Sequence, residues 1–447
     1  MEREEFEKLS RLFEEKKLRE LKDELITYNE ADIALFFEEL EAVEAVTVFR
    51  ILPKDIAAET FSFFSSDMQN NIVAAMTNVE ITEMVDKLYI DDLVDMLEEL
   101  PAVVVSKIMK NMPTVKRGVV NQYLKYPKDS AGSIMTAEYI DVKMNSTVGE
   151  AIAKIRRKGI SSESIYTVYI IKPNRKLEGF VSVRSLLMHS DDTLIKDLIQ
   201  EDVISVNTLE DKEDVAKKIK KYGFLALPVV DNEDRLVGIV TVDDAVGVME
   251  EEATEDFERM AAMAPSAKPY LKSSIFDLAK NRFGWLVFLM LSATFTGIII
   301  DKYEHVLVAI TGLIAFVPML TDSGGNAGAQ SSTMVIRSLA LGEITPKDYL
   351  QVFLKEAAVS LIVGVLLAIV NFLRMYLFKI SSPEVALTVS LALMATIILS
   401  KIIGGLLPML AERLKMDPTI MAAPLITTVV DSFSLLIYFA IVKVILL

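Results

Sequence analysis

Apolar residues in the first 128 positions recur at spacings of three and four, as at Leu93, Met96, Leu97 and Leu100, with acids between them. That spacing is the buried stripe of an amphipathic helix. The helical segments are short and punctuated by Pro53, Pro101 and Pro113, which predicts a superhelical stack of short helices in place of one bundle. A loose likeness between LPKDIAAETFSFF and LYIDDLVDMLEEL hints at an internal repeat.

The period changes at Ser130-Ala-Gly-Ser-Ile-Met-Thr. From Ala226 the chain reads as an apolar strand, an acidic turn, a second apolar strand and a helix start at Asp243-Asp244. An earlier copy starts at Tyr166, and the matching glycines, Gly179 and Gly238, lie 59 residues apart. A tandem α/β repeat over 130–249 is therefore expected, and it resembles a pair of CBS domains. Residues 250–282 read as a helical connector, with Glu250, Glu251, Glu252, Glu255, Asp256 and Glu258 close together near its start. Like charges four apart on a helix cost about 0.2–0.5 kcal/mol per pair, so this face needs solvent or a cation.

The rest alternates between long apolar runs and short polar breaks. Phe283–Ile300, a run starting at Val306–Leu320, Ala357–Leu373, Val385–Ala411 (interrupted by Lys401) and Thr419–Leu446 predict five membrane spans over 283–447. Each is near the ~20 residues that a hydrocarbon core of about 30 Å requires. With the N-terminal part in the cytoplasm, Lys268, Lys272, Lys280, Arg282, Arg337, Lys347, Lys355, Arg413 and Lys415 fall inside. Only Lys302, Arg374, Lys379 and Lys443 fall outside, which supports that orientation in a cell membrane. The charged opening MEREEFEKLSRLFEEKKLRE has no apolar core or cleavage site, so no signal peptide is expected.

Charge sharpens the division. The chain has 447 residues and a formal net charge of −16. Residues 283–447 carry 10 basic and 10 acidic side chains, so the first 282 residues hold the whole excess, 53 acids against 37 bases. A nucleic-acid partner is excluded by that sign. The absence of cysteine removes disulfides and thiolate chemistry, and two histidines, His189 and His305, leave little for an imidazole metal site or a Ser-His-Asp triad. No P-loop is present, nor any His-Glu-x-x-His, aspartate pair or Ser-Lys dyad within the spans, so an enzyme is not expected.

Asp431 lies about mid-way along the fifth span, in Pro424-Leu-Ile-Thr-Thr-Val-Val-Asp431. A carboxylate inside a bilayer costs about 2.5–3.5 kcal/mol on insertion scales, so it is expected to face a water path, a partner or an ion. A hydrogen bond to a neighbouring helix or an ion pair with Lys401 is the structural alternative. A second polar stretch, Thr321-Asp-Ser-Gly-Gly-Asn-Ala-Gly-Ala-Gln-Ser-Ser-Thr, directly continues an apolar run. Its glycines suit close backbone approach or a helix break, and Asn326, Gln330 and the hydroxyls supply oxygen ligands. It could equally be a loop between two short helices. Oxygen donors alone suit hard cations such as Mg2+ or Ca2+. One Asp431 cannot dehydrate Mg2+ unaided, which favours two of them from a symmetric dimer acting on a hydrated ion.

The order of helical domain, CBS pair, acidic connector and five spans resembles the MgtE family of magnesium channels. So do Gly-Gly-Asn-Ala-Gly-Ala-Gln-Ser-Ser-Thr, Asp417-Pro418 and the Pro424–Asp431 motif. The resemblance implies a multidomain membrane protein with an all-α superhelical N-terminal domain, α/β tandem CBS domains, a connecting plug helix and an α-helical transmembrane domain of five spans per subunit. It implies a homodimer in the lipid bilayer, with a pore on the two-fold axis where Asp431 holds hydrated Mg2+. It also implies a sensor that closes the pore when Mg2+ bridges cytoplasmic acids, matched here by Asp91, Asp95, Asp211, Glu213, Asp244, Glu252, Glu255, Asp256 and, at the pore mouth, Asp417. The chain departs from the family pattern at Ala329, Gly223 and Gly247. Adenosine-binding CBS pairs use Ser/Thr-x-x-Asp; Thr241 and Asp244 satisfy it, the first copy ends in Ser185, and Arg184 and Phe224 complete the set expected for ATP. A Na+- or H+-coupled Mg2+ carrier and a non-transporting divalent-cation sensor are the alternatives.

Overall fold

In the computed structural model, residues 3–159, 162–266, 270–271, 273–304, 306, 310 and 312–447 are described. Lys268, Lys272, His305 and parts of the expected second span (307–309 and 311) lie outside them. The chain forms two compact units, Met1–Glu250 and Glu251–Leu447.

The first unit begins with ten helices among the described residues, from α1 (Arg3–Glu14) to α10 (Thr114–Tyr123). From the second onward, each packs on the helix two places further along, which is the stack expected from the punctuated pattern. Pro53, Pro101 and Pro113 stand just before helix starts with extended ψ of 140–142°. The ring lacks an N–H that the helix start would not use anyway, so proline ends one helix and begins the next without loss. Phe37, Phe49, Phe61 and Phe64 fill the middle of the stack, with ring centroids 5.0–6.3 Å apart.

Two three-stranded sheets follow. Strands β1 (Ile140–Val142), β2 (Thr167–Ile171) and β3 (Leu177–Ser182) form one, and β4 (Val206–Asn207), β5 (Ala226–Val230) and β6 (Leu236–Thr241) the other. In each, the first pair is parallel and the second antiparallel. Helices α11 (Val148–Lys158) and α12 (Val183–Leu187) belong to the first copy, and α13 (Lys212–Tyr222) and α14 (Val242–Met260) follow in the second. The 59-residue glycine spacing has a steric cause. Gly179 pairs with Ile170 and Gly238 with Val229, each beside a register shift. A Cβ at Gly179 would stand 2.6 Å from the Gln200 carbonyl, and one at Gly238 2.8 Å from the Thr136 carbonyl. Each glycine lets a crossing segment bond to the next residue, Phe180 to Gln200 and Ile239 to Thr136. Gly223 caps α13 with φ of 66°, a conformation that disfavours a side chain and accounts for glycine there.

The second unit contains five long helices among the described residues: α15 (Ile275–Lys302), α16 (Val317–Ala340), α17 (Tyr349–Leu377), α18 (Pro383–Arg413) and α19 (Ala423–Ile445). All but α16 are long and apolar enough to cross a membrane. Two features of this region depart from expectation. The polar stretch after Leu320 is neither a loop nor a helix break; it is the middle of the 24-residue helix α16. The second long helix therefore starts at Val317, near the end of the expected span, because its polar residues face outward and its glycines face other helices. Asp431 is also the ninth of 23 residues in α19, about 12 Å of rise from its start and short of the helix midpoint.

Candidate functional site

The glycines of α16 are used for approach. A Cβ at Gly324 would stand 2.9 Å from Val430, one at Gly325 2.8 Å from Thr427 and one at Gly328 2.7 Å from Ile426. Successive turns of α16 thus meet α19 in descending order, so the two run antiparallel. On its other side α16 runs alongside α18, where a Cβ at Gly404 would fall 2.2 Å from the Gly328 carbonyl oxygen. Backbone cannot yield as a flexible side chain does. Gly404→Ala is expected to cost about 1–3 kcal/mol of packing, read as a lower melting temperature of the purified full-length protein.

This packing leaves a polar stripe on the outer face of α16. Asp322, Asn326 and Gln330, four residues apart, are all exposed, whereas Gly324, Gly325, Ala327 and Gly328 are buried. Asp431 of α19 is half-buried, and Asp322 is the charged group acting on it. Among the described residues its carboxylate has no hydrogen-bond or ion-pair partner, so the alternative of a pair with Lys401 is not what forms. Lys401 instead reaches Gln330 and Ser331, each at 3.4 Å. Thr427 and Thr428, in the turn before Asp431, both donate to the Pro424 carbonyl, at 2.9 and 3.0 Å. Asp322 escaped the sequence reading, although its place four residues before Asn326 was a usable signal.

Three of the connector acids share one face of α14. Glu252, Glu255 and Asp256 are half-buried, as is Arg259 one turn later. Arg259 bridges Glu255 and Asp417, the latter being the residue that caps the short turn Pro418–Met421 by accepting from the Thr419 N–H at 2.8 Å. A guanidinium thus stands between two of the carboxylates that the resemblance assigns to Mg2+. Arg259→Gln is expected to lower stability without Mg2+ by about 1 kcal/mol. It should also enlarge the rise in melting temperature on adding Mg2+, because the half-buried acid pair has then lost its guanidinium.

In the first unit the acids divide into two groups. Asp211 caps α13 by accepting from the Glu213 N–H at 2.8 Å, and Glu213 pairs with Lys217 at 2.7 Å. Asp91, Asp92 and Asp95, on the helix Ile90–Glu99, instead lie under the charge of Asp244, and Asp91 and Asp92 also share charge repulsion with Glu163. Burial, and then the Asp244 charge, push Asp92 up to about 6 and Asp95 up to about 7. Burial lifts Asp244 to about 6 and Glu163, with Asp243 and Asp244 nearby, to about 8. Asp91 is only 7% exposed, and burial, then the Asp244 charge, raise it well above its ordinary value; its Oδ1 and Glu163 Oε2 are buried with no hydrogen-bond partner among the described residues. Lys116 donates to the Asp86 and Leu88 carbonyls. Among the described residues no three acids are arranged to hold one metal ion directly, so an ion here would keep much of its water. Sequence reading found Asp91, Asp95 and Asp244 but missed Asp92 and Glu163.

The expected nucleotide residues are separated. Arg184 and Phe224 line a cavity of about 590 Å3 with Tyr166, Ser182, Asp202 and Pro228. Thr241 and Asp244 are not on its wall; the Thr241 hydroxyl donates to Asp244 at 2.6 Å, and Asp244 belongs to the acidic cluster. The Ser/Thr-x-x-Asp match therefore marks an acid turned to other acids.

Four helices long and apolar enough to cross a membrane, with an outward polar stripe on a fifth, define the class: a multi-pass membrane protein. Profile matches agree with that class: residues 317–441 match a family described as a divalent cation transporter, 28–129 the MgtE intracellular N domain, and 131–192 and 195–251 the CBS domain. The magnesium transporter MgtE of Thermus thermophilus is 33% identical over 98% of both chains. That of Bacillus subtilis is 32% identical over 95% of this chain and 92% of its own. The chain belongs to the MgtE family of magnesium transporters. A crystal structure of the cytosolic domain of the Mg2+ channel MgtE in complex with ATP is also similar, with TM-score 0.52 and 32% identity, covering 54% of this chain and 98% of that one.

Proposed function

We propose that the protein is a Mg2+ channel of the cell membrane that works as a homodimer and admits Mg2+ to the cytoplasm down its electrochemical gradient. The observation that carries this reading is the exposed stripe of Asp322, Asn326 and Gln330 on one copy, with the half-buried Asp431, unpartnered among the described residues, under the charge of Asp322. Polar groups facing lipid are costly, so the stripe calls for a second copy that encloses it as a water-filled path. An ion that keeps its water needs few direct ligands, and one carboxylate per copy suits that task. An inside-negative potential of 100 mV gives a divalent ion about 4.6 kcal/mol, which removes the need for a coupled fuel.

Regulation follows from the acids. Mg2+ at the cluster of Asp91, Asp95 and Asp244 would relieve repulsion within the first unit, and Mg2+ at Glu252, Glu255, Asp256 and Asp417 would do so at the connector. Occupied acids favour the closed state, so abundant cytoplasmic Mg2+ limits further entry. The cavity at Arg184 and Phe224 suits a nucleotide, the guanidinium for phosphate and the ring for the base, and its binding to ATP is part of this proposal. The test is Mg2+ uptake into proteoliposomes at low internal Mg2+ under an inside-negative potential. Saturable uptake that follows the potential without a Na+ or H+ gradient is the expected result; uptake that requires either gradient would replace the channel by a coupled carrier, and no uptake would favour a sensor.

A further inference from the structure

We infer that Lys401 is a fixed counter-charge beside the ion path that turns Gln330 so that its level of the path releases cations instead of binding them. The inference rests on the proposed transport reading. Lys401 lies in the middle of α18 and is only 6% exposed, in a unit whose long helices other than α16 are apolar enough to cross a membrane. A buried ammonium is retained only when its charge is met. Here the Lys401 Nζ donates to Ser331 Oγ at 3.4 Å, and Ser331, 2% exposed, donates on to Glu356 Oε2 of α17 at 2.6 Å. The hydroxyl thus passes the attraction from ammonium to carboxylate across three helices. The approach is enforced one turn later, where Gly405 packs on Glu356 and a Cβ would stand 3.0 Å from its Cγ.

The second partner of Lys401 is Gln330 Oε1, at 3.4 Å. An ammonium has donors and no acceptor, so the glutamine must give it the carbonyl oxygen. Gln330 is exposed on the same face as Asn326 and Asp322, so with its oxygen taken by Lys401 what it has left to offer there is its amide N–H2. A hydrated cation presents O–H donors outward, and an amide donor offers them nothing to bind. At Asp431 and Asp322 the stripe offers oxygen and negative charge; at Gln330 it offers N–H donors, the glutamine oxygen being taken by Lys401. Conduction requires a site weak enough to leave, and this pairing supplies it.

The test is the split between half-saturating concentration and maximal rate of Mg2+ uptake in proteoliposomes, for the native chain and Lys401→Met. Removing the charge frees Gln330 to present its oxygen. The variant is expected to half-saturate at a Mg2+ concentration at least threefold lower, with a lower maximal rate because release becomes slow. Lys401→Arg should keep native values. Where Lys401→Met does not reach the membrane, Lys401→Met with Glu356→Gln removes both charges together and carries the same test. An unchanged or higher half-saturating concentration, whatever the rate, would overturn the inference and leave Lys401 a packing element. A native chain that carries no Mg2+ would instead overturn the transport reading, and this inference with it.

Discussion

Asp431→Asn is expected to lose at least thirtyfold in Mg2+ uptake at low external Mg2+, with the fold intact. Attraction between unit charges at 4 Å is about 4 kcal/mol at an effective dielectric of 20, and a divalent ion doubles it. Even a quarter of that, about 2 kcal/mol, corresponds to roughly thirtyfold in occupancy. Asparagine keeps the shape and an oxygen but removes the charge, so the loss reports electrostatics and not packing. Because the carboxylate has no protein partner among the described residues, neutralising it removes no bond. The melting temperature of the variant should therefore stay the same or rise. Asp322→Asn should give a smaller, severalfold loss, since Asp322 is exposed at the same stripe and acts on Asp431 from a distance. Native uptake by Asp431→Asn would take that residue off the conduction path and leave Asn326 as the next residue to vary.

Helix α16 and the acids mark what a linear pattern reveals. Hydropathy located the four helices long and apolar enough to cross a membrane, because that property needs only apolarity along a run. It misread α16, whose 24 residues are helical because glycine, alanine and serine pack against α18 and α19, a property of neighbours and not of the run itself. The stack of short helices was legible because proline acts locally at Pro53, Pro101 and Pro113. The CBS repeat was legible because its glycines answer a steric demand that recurs in each copy. Pairwise charge relations were not. Asp92 and Glu163 joined the acidic cluster, and Lys401 turned from Asp431 to Gln330, through contacts between residues 71 positions or more apart. Asp244 carried a nucleotide motif in the chain and acid neighbours in the fold. Spacing along a chain fixes which residues share a helix face, and tertiary packing decides what that face meets.

Asp244 is the hub of that cluster, since its charge acts on Asp91, Asp92, Asp95 and Glu163. The Mg2+-free protein is expected to lose stability as pH rises from about 5 to 8. An ordinary unfolded aspartate titrates near 3.9, whereas folded Asp244 titrates at about 6 and Asp95 at about 7. A carboxyl raised by folding binds more protons in the folded state than in the unfolded one between those values. Its stabilising share is full below the unfolded value and is lost as pH climbs through the folded one. Raising one carboxyl's titration by about two pH units corresponds to about 2.7 kcal/mol, and the partial exposure of Asp244 cuts this to about 1–2 kcal/mol. Millimolar Mg2+ should restore what is lost at pH 8, where the acids are ionised, and do little at pH 5.5, where protons already screen them. Asp244→Asn removes the shared repulsion. It is expected to raise the Mg2+-free melting temperature at pH 8 by about 2–4 °C, flatten the pH slope and shrink the Mg2+ response. Thermal melts of the full chain in detergent at both pH values, with and without Mg2+, decide the matter. A Mg2+ response equal at the two pH values, or an Asp244→Asn protein less stable than the native one at pH 8, would mean that these acids are held by something other than the want of a cation.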